Sequence, residues 1–232
     1  MIDKERNFDE IIEYYKSRST QRLLKGFKAQ VENFFLNNIE LNSEDFPVIH
    51  SVRSRIKHPE HLRDKLKRKL KNGALITKEN LLFNINDLVG VRVLYLYQDQ
   101  LHNIHDEINN HKNWKIFEEP KAYTWDPEAK AHYETLGIST EVIETHYTSI
   151  HYVVSPNNDS DSITCEIQVR TLFEEIWSEI DHMINYPYET DSIACKEQLK
   201  VLSKLANTGT RLSDSIYRSY QEHKSKVDNQ TD

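Results

Sequence analysis

Hydrophobic residues along this chain recur at two spacings, every third or fourth position and every second position. The two alternate, which predicts helices interleaved with strands. Leu23, Leu24, Phe27, Val31, Phe34 and Phe35 form an apolar stripe, so residues 7–40 are expected as helix, in two segments meeting near Ser17 to Thr20. A polar connection, Asn42 to Phe46, follows, and Pro47 stops any helix before it. Val48 to Lys57 is expected as a strand. Pro59 then opens a helix with Leu62, Leu66 and Leu70 on one side, which Asn72 and Gly73 end. Leu88 to Tyr97 is apolar on both faces, as a central strand should be. Leu101, Ile104, His105 and Ile108 predict a helix and Trp114 to Tyr123 an edge strand, while residues 124–141 are polar without a clear period. Val142 to Ser155 and Ser162 to Thr171 predict a hairpin joined by the loop PNNDSDS. The next helix repeats Phe173, Ile176, Trp177, Ile180 and Ile184. The last, Lys196 to His223, carries Leu199, Leu202, Leu205, Leu212, Ile216 and Tyr220. The expected class is α/β, a mixed β-sheet flanked by helices, with N-terminal helices over 1–44, a central domain over 45–190, and a C-terminal helix and flexible tail over 191–232.

Composition narrows the function. A length of 232 residues, 38% hydrophobic and 10% aromatic, suits one sizeable globular domain with helical extensions, or two small ones, with disorder confined to the ends. The net charge of −7 argues against a generally basic nucleic-acid binder, so any positive site must be local. Cys165 and Cys195 form no CxxC pair, which points to a reduced, cytoplasmic protein. No apolar run approaches membrane-spanning length, so no membrane partner is expected. The five glycines form no Gly-rich loop. Phosphate binding, if present, falls to lysine, arginine and metal.

Four clusters can carry chemistry. Arg53 to Lys71 holds nine Lys or Arg against two acids, with Arg53, Arg55 and Lys57 on one strand face and His61 and Lys65 one helical turn apart. Such cations can grip a polyphosphate or simply form a solvated basic face. In NINDLVGVRV, Asp87 precedes an apolar strand and Arg92 lies inside it. The guanidinium needs an anion or a stacking partner, and the two residues share a site if Asp87 sits in the preceding turn. In ETHYTSIHYVV, alternation sets Tyr147, Ser149 and His151 on one face, as a base-stacking platform or a bonded core tyrosine. In CEIQVRT, Cys165, Ile167 and Val169 take one face, and Glu166, Gln168 and Arg170 the other, putting a carboxylate, an amide and a guanidinium in a row. A carboxylate aimed outward from a rigid sheet suits metal or proton chemistry.

Taken in order, Arg55-Ile56-Lys57, Lys65, DLVGVR, YTSIH and EIQVRT with a Trp and a His downstream resemble the RelA/SpoT synthetase domain over about residues 45 to 190, in its small, single-domain form. The resemblance implies a nucleotidyltransferase-like synthetase fold and transfer of diphosphate from ATP to the 3′-hydroxyl of GDP or GTP, making (p)ppGpp alarmones and releasing AMP. It implies that Arg55 and Arg92 stack on the two faces of adenine, that Lys57 and Lys65 hold the ATP phosphates, and that Asp87 and Glu166 bind Mg²⁺, Glu166 also serving as proton acceptor. Tyr147 would stack on the acceptor guanine, with His151 on its ribose or phosphate and Gln168 and Arg170 in support. Two positions depart from the family pattern. His61, among the ATP-binding positions, stands where the family usually has Ser, and His146 stands where it has Gly. Two other readings share these residues: a toxin relative that modifies the 3′ end of tRNA or an adenosine nucleotide, and an inactive nucleotide-binding module. The last helix either packs on its own domain or mediates assembly, and small synthetases of this kind often form tetramers.

Overall fold

The computed structural model describes residues 2–44, 46–157, 163–186 and 188–231. Helices α1 (Ile2–Lys16) and α2 (Arg18–Asn37) meet at Ser17, whose hydroxyl accepts from the Thr20 amide and caps α2. Strand β1 (Ile49–Ile56) leads into α3 (Pro59–Lys71), which Asn72 ends and Gly73 leaves at φ +82°. The short α4 (Leu81–Asn84), β2 (Val89–Tyr95), a 3₁₀ turn at Gln98–Gln100 and α5 (Leu101–Asn109) follow. Then come β3 (Trp114–Thr124), α6 (Pro127–Thr135), β4 (Ser139–Val142), β5 (Ser149–Pro156), β6 (Cys165–Thr171), α7 (Leu172–Asn185) and α8 (Ile193–Thr231).

The six strands form one mixed sheet in the order β1-β2-β6-β5-β3-β4, with β2–β6 and β3–β4 parallel and the other pairs antiparallel. On one face the register joins Val91 to Ile167 and Tyr152, and Val93 to Val169 and Ile150, all buried. Helix α2 packs across β1, β2 and β6, burying Leu24, Phe27, Val31 and Phe35. Each such side chain contributes about 1.5–3 kcal/mol on leaving water. The opposite face carries the polar residues discussed below.

Several sequence expectations are corrected. Trp114 to Tyr123 is not an edge: residues 124–141 fold into α6 and β4, and β4 pairs with Lys121 to Thr124 and takes the edge. Asp126 caps α6 by accepting from the Ala129 amide, and Pro127 starts it, a local signal stronger than the missing period. Val142 to Ser155 is not one strand, because β5 begins at Ser149 and Tyr147 lies in the segment before it. The β5–β6 antiparallel pair is present, and the residues 158–162 of its loop lie outside the described residues. The expected apolar stripe of α7 is only partly inside. Trp177 is buried, but Ile176 and Ile180 are exposed, because the helix turns Glu175 inward toward arginines on the sheet.

Helix α8 runs to Thr231 rather than ending near His223, since no Gly or Pro follows His223 to stop it. It buries Leu199, Ser203, Ala206, Thr210 and Asp214, and leaves Leu205, Leu212, Ile216 and Tyr220 exposed. The Trp177 indole donates to the Leu199 carbonyl at 2.9 Å, and Arg211 pairs with Asp126 at 2.7 Å. No helix among the described residues is long and apolar enough to cross a membrane.

Two predictions follow from the packing of α7. A Cβ on Gly209 of α8 would lie 2.5 Å from Phe173 Cε1. Gly209→Ala should therefore destabilise the chain by about 1–2 kcal/mol, the overpacking outweighing the helix-propensity gain. A rise in thermal midpoint would contradict this packing. Glu174 closes a capping box with Thr171, and burial pushes its carboxyl up to about 7 despite the bonds from Thr171. Since the folded chain holds this proton more tightly than the unfolded one, the stabilisation is complete below about pH 4.5 and fades as pH rises through about 7. Glu174→Gln preserves the cap. Relative to this variant, the unsubstituted chain should lose up to about 2 kcal/mol between pH 4.5 and 7.5, the side chain being partly accessible to solvent. Parallel stability curves would show that Glu174 does not titrate in this window.

Candidate active site

Strand register assembles the site. Arg53 on β1 lies opposite Arg92 on β2, Arg92 beside Gln168 on β6, Gln168 opposite His151 on β5, and His151 opposite Lys121 on β3. A second row runs from Arg55 through Gly90 and Glu166 to Val153. Because neighbours in register share a sheet face, the apolar packing of the opposite face commits all these polar side chains to this one. The Arg55 side chain lies across β2 over Gly90, where a Cβ would meet Arg55 Cγ at 3.7 Å, an ordinary contact.

Two adjoining cavities open on this face. One, about 330 Å³, is lined by Arg53, Arg55, Asp87, Gly90, Arg92, Glu166, Gln168, Glu179 and His182 among others. The other, about 180 Å³, is lined by residues including Lys65, Lys69, Glu118, Lys121, Tyr123, His151 and Glu166. Glu166 is common to both linings. A further cavity, about 920 Å³, lies on α2 beside Pro156 and Ile163, away from these groups.

The charges are paired with one another. Asp87, in the turn before β2, contacts Lys57 Nζ at 2.9 Å and Lys65 Nζ at 2.7 Å. The second contact is close but off the hydrogen-bonding direction, so Lys65 meets the buried Asp87 Oδ1 as an ion pair only. The Lys57 carbonyl accepts from the Tyr15 hydroxyl, so α1 fixes the backbone of this lysine. Burial pushes the Tyr15 phenol up to about 12, which keeps it a donor. Arg92 Nη1 lies 2.7 Å from both Glu175 Oε1 and Glu179 Oε1.

Glu166 belongs to a closed ring of polar contacts. His151 Nδ1 is 3.4 Å from Glu166 Oε1, His151 Nε2 is 2.9 Å from the Tyr147 hydroxyl, and Arg170 Nη2 donates to that hydroxyl at 2.8 Å. Arg170 Nη2 also donates to Gln168 Oε1 at 2.9 Å, and Gln168 Nε2 donates to Glu166 Oε2 at 2.7 Å. Burial pushes the Glu166 carboxyl up, but His151, Gln168 and Lys65 outweigh it and hold the group at about 2. It is therefore anionic across the physiological range. Arg170 is fully buried, with its guanidinium carbon 5.1 Å from the centre of the Tyr147 ring.

Asp87 and Glu166 line one cavity, and no group of three or more His, Cys, Asp or Glu gathers as a metal cage among the described residues. Two carboxylates lining one cavity fit a hard divalent ion that takes its other ligands from phosphate and water.

The structure thus brings Arg55, Asp87, Arg92, Glu166 and Gln168 to one cavity, and Lys65, His151 and Glu166 to the other, with Lys57 reaching Asp87 and with Tyr147 and Arg170 alongside. His61 is outside both linings. Its ring packs 5.9 Å from His58 and 5.6 Å from Tyr186 on the exposed side of α3. His146 takes φ +62°, a left-handed conformation that favours glycine, and its ring rests 5.0 Å from Trp125. Sequence reasoning missed Lys121, Tyr123, Ser178 and the role of Glu175. Tyr123 lies 5.0 Å from the His151 ring, but irregular register between Ile116 and Lys121 hides the alternation of β3. Glu175 reads as an ordinary polar helix residue, and nothing in its spacing announces its burial.

A family model described as a region found in RelA / SpoT proteins matches residues 54–191. GTP pyrophosphokinase YwaC of Bacillus subtilis (strain 168) is 25% identical over 154 residues, covering 62% of this chain; the chain spans 64% of that relative's length. A GTP pyrophosphokinase family protein from Streptococcus pneumoniae superposes with a TM-score of 0.66 at 22% identity, over 96% of this chain and 97% of that one. The small alarmone synthetase 1 from Bacillus subtilis bound to its product pppGpp does so with a TM-score of 0.61 at 20% identity, over 87% and 93%. Since the matched region takes in well over half of the sequence, and the sheet that carries the paired cavities lies almost wholly within it, the chain belongs to the RelA/SpoT family.

Proposed function

We propose that this protein transfers diphosphate from ATP to the 3′-hydroxyl of GDP or GTP, releasing AMP and forming (p)ppGpp. One observation carries the reading: two adjoining cavities, one edged by arginines and Asp87 and the other by Lys65, Lys121, Tyr123 and His151, share the carboxylate of Glu166. Two substrates meeting at one acid is the arrangement a transfer between nucleotides requires. The names and bound product of the relatives accord with it.

In this reading the first cavity takes ATP. Arg55 and Arg92 flank adenine, Arg92 offering its guanidinium face while its edge stays on Glu175 and Glu179. Lys57 and Lys65 exchange Asp87 for phosphate oxygens. Asp87 and Glu166 hold Mg²⁺, which supplies charge neutralisation at the phosphates. Tyr147 stacks on the acceptor guanine, its hydroxyl fixed by His151 and Arg170, and His151 meets the acceptor ribose or phosphate. The acceptor 3′-oxygen bonds to the β-phosphorus as the bond from that phosphorus to the α,β-bridging oxygen breaks, and AMP departs with that oxygen. Glu166 accepts the hydroxyl proton once its bonds from His151 and Gln168 loosen, because a carboxyl held at about 2 is otherwise a weak base. Gln168 and Arg170 keep Glu166 and Tyr147 in register. Unpaired Cys165 and Cys195 suit a reducing cytoplasm, and the exposed apolar stripe of α8 suits self-association into the tetramer implied by the resemblance.

Incubation with β-³²P-ATP, Mg²⁺ and a mixture of GDP, GTP, adenosine nucleotides and tRNA tests the reading. Label should appear in tetra- and pentaphosphate guanosine products. Label in tRNA or adenosine nucleotides instead would establish a different acceptor, and no transfer by folded protein would overturn the reaction. Glu166→Gln should lower the transfer rate by about 10²–10⁴-fold while the thermal midpoint stays within a few degrees. Retention of full activity removes Glu166 from the chemistry. Tyr147→Ala should raise the acceptor KM by about tenfold and leave the ATP KM nearly unchanged, with Tyr147→Phe intermediate, as the loss of a stacking ring predicts. An unchanged acceptor KM in the alanine variant would exclude stacking.

A further inference from the structure

Glu175 is a buried acid that helix formation does not explain. Glu174, beside it, already closes the capping box of α7. The Glu175 side chain is only 5% exposed, and three guanidinium groups converge on it. Arg92 Nη1 lies 2.7 Å from Oε1, Arg53 Nη1 3.5 Å from Oε1, and Arg170 Nη1 3.4 Å from Oε2. A carboxylate this deep is costly to bury unless it meets cations. To place it there, α7 leaves Ile176 and Ile180 exposed.

The two oxygens look in different directions. Oε1 serves Arg92, which lines the cavity assigned to ATP. Oε2 is buried without a hydrogen bond and faces Arg170. Arg170 lines neither cavity; it donates to Tyr147 and to Ser178. Its own Nε is likewise buried without a partner, and Glu175 adds a facing negative charge to the bonds the guanidinium makes with Tyr147, Gln168 and Ser178. Glu179, 55% exposed, makes the same 2.7 Å contact with Arg92 but no contact with Arg170.

We propose that Glu175 is a positioning residue shared by the two nucleotide subsites: one carboxylate that orients Arg92 for the donor and, through Arg170, Tyr147 for the acceptor. This rests on the assignment of Arg92 to ATP and Tyr147 to the guanine nucleotide. Glutamine at this position keeps the size and one acceptor oxygen. It removes the charge and turns an amide N–H₂ toward one of the two arginines.

Calorimetry of the full chain with Mg²⁺, using α,β-methylene ATP and GDP separately, tests the proposal. In Glu175→Gln the affinity for each nucleotide alone should fall about five- to tenfold, the worth of a charge-assisted hydrogen bond to Arg92 on one side and of a buried ion pair with Arg170 on the other. In Glu179→Gln only the affinity for the ATP analogue should fall, by about two- to threefold, as for an exposed pair. Loss of one affinity alone in Glu175→Gln, or of neither, overturns the shared role while leaving the assigned subsites standing. If the unsubstituted protein binds neither nucleotide, the subsites and this proposal fall together. Should Glu175→Gln not fold, the unsubstituted protein decides. Its Arg170 Nε–H signal in ¹⁵N spectra should shift on adding α,β-methylene ATP alone, although that residue is outside the donor cavity, and an unmoved signal overturns the link.

Discussion

The parallel pairing of β2 with β6 is the constraint on which this site rests. It sets Gly90 beside Glu166 and Arg92 beside Gln168, while Val91, Val93, Ile167 and Val169 take the opposite face. A slip of one residue would turn the valines and isoleucines of one strand into the cavities and bury its charged groups under α2. The apolar face therefore sets the polar one. Burial of Ile150 and Tyr152 on β5 extends the same logic to His151, and β1 does so for Arg53 and Arg55. Parallel strands need a long crossover. Here the connection from β2 to β6 contains α5, β3, α6, β4 and β5, so the second cavity is built from the segment that makes the first possible.

With its register fixed, the face must hold many charges close together without a ligand. It does so by pairing them internally: Lys57 and Lys65 with Asp87, and Arg92 with Glu175 and Glu179. Each pair offsets part of the cost of desolvation. Not all positions are filled, and buried polar atoms without a hydrogen bond gather here, among them Asn86 Oδ1, Asp87 Oδ1, Ser149 Oγ, Arg170 Nε and Glu175 Oε2. Native interiors hold few such atoms, and a local excess marks a surface arranged for something other than its own stability.

The sequence made much of this legible, because the signals were periodic. The row Glu166, Gln168, Arg170 follows from strict alternation in β6, and the N-terminal helices follow from a stripe that recurs over several turns. The condition set for Asp87 and Arg92 to share a site is met: Asp87 sits in the turn before β2, beside Arg92 in one cavity. Elements set by single residues or by tertiary contact were not legible. Helix α6 depends on the Asp126 cap and Pro127, and β4 is four residues long. Tyr123 and Lys121 follow irregularities in β3 that break the period on which a face assignment depends. The apolar spacing of α7 predicted burial of Ile176 and Ile180, but electrostatic demand from Arg92 and Arg170 won over the apolar stripe and drew Glu175 inside. Sequence periodicity records what a helix can bury against hydrocarbon. It carries no record of buried cations on a facing strand that need an anion.

The scarcity of glycine bears on how such a site must work. A glycine-rich loop binds phosphate through backbone amides, which carry no net charge and need no counter-ion when empty. Without such a loop, this face relies on lysine and arginine side chains, and those side chains must be neutralised by neighbouring acids until a nucleotide arrives. Binding is then an exchange of one anion for another rather than the filling of a positive void. Its net gain is the difference between the contacts that a phosphate makes with Lys57 and Lys65 and those that Asp87 gives up. The same exchange frees acids at the moment the polyphosphate enters. Asp87, released by Lys57 and Lys65, becomes available beside Glu166 when a metal-bound phosphate needs carboxylate ligands. The ion pairs of the empty site and the ligand set of the filled one are, on this argument, the same residues in two arrangements, which is why so many of them line two modest cavities instead of being spread over the sheet.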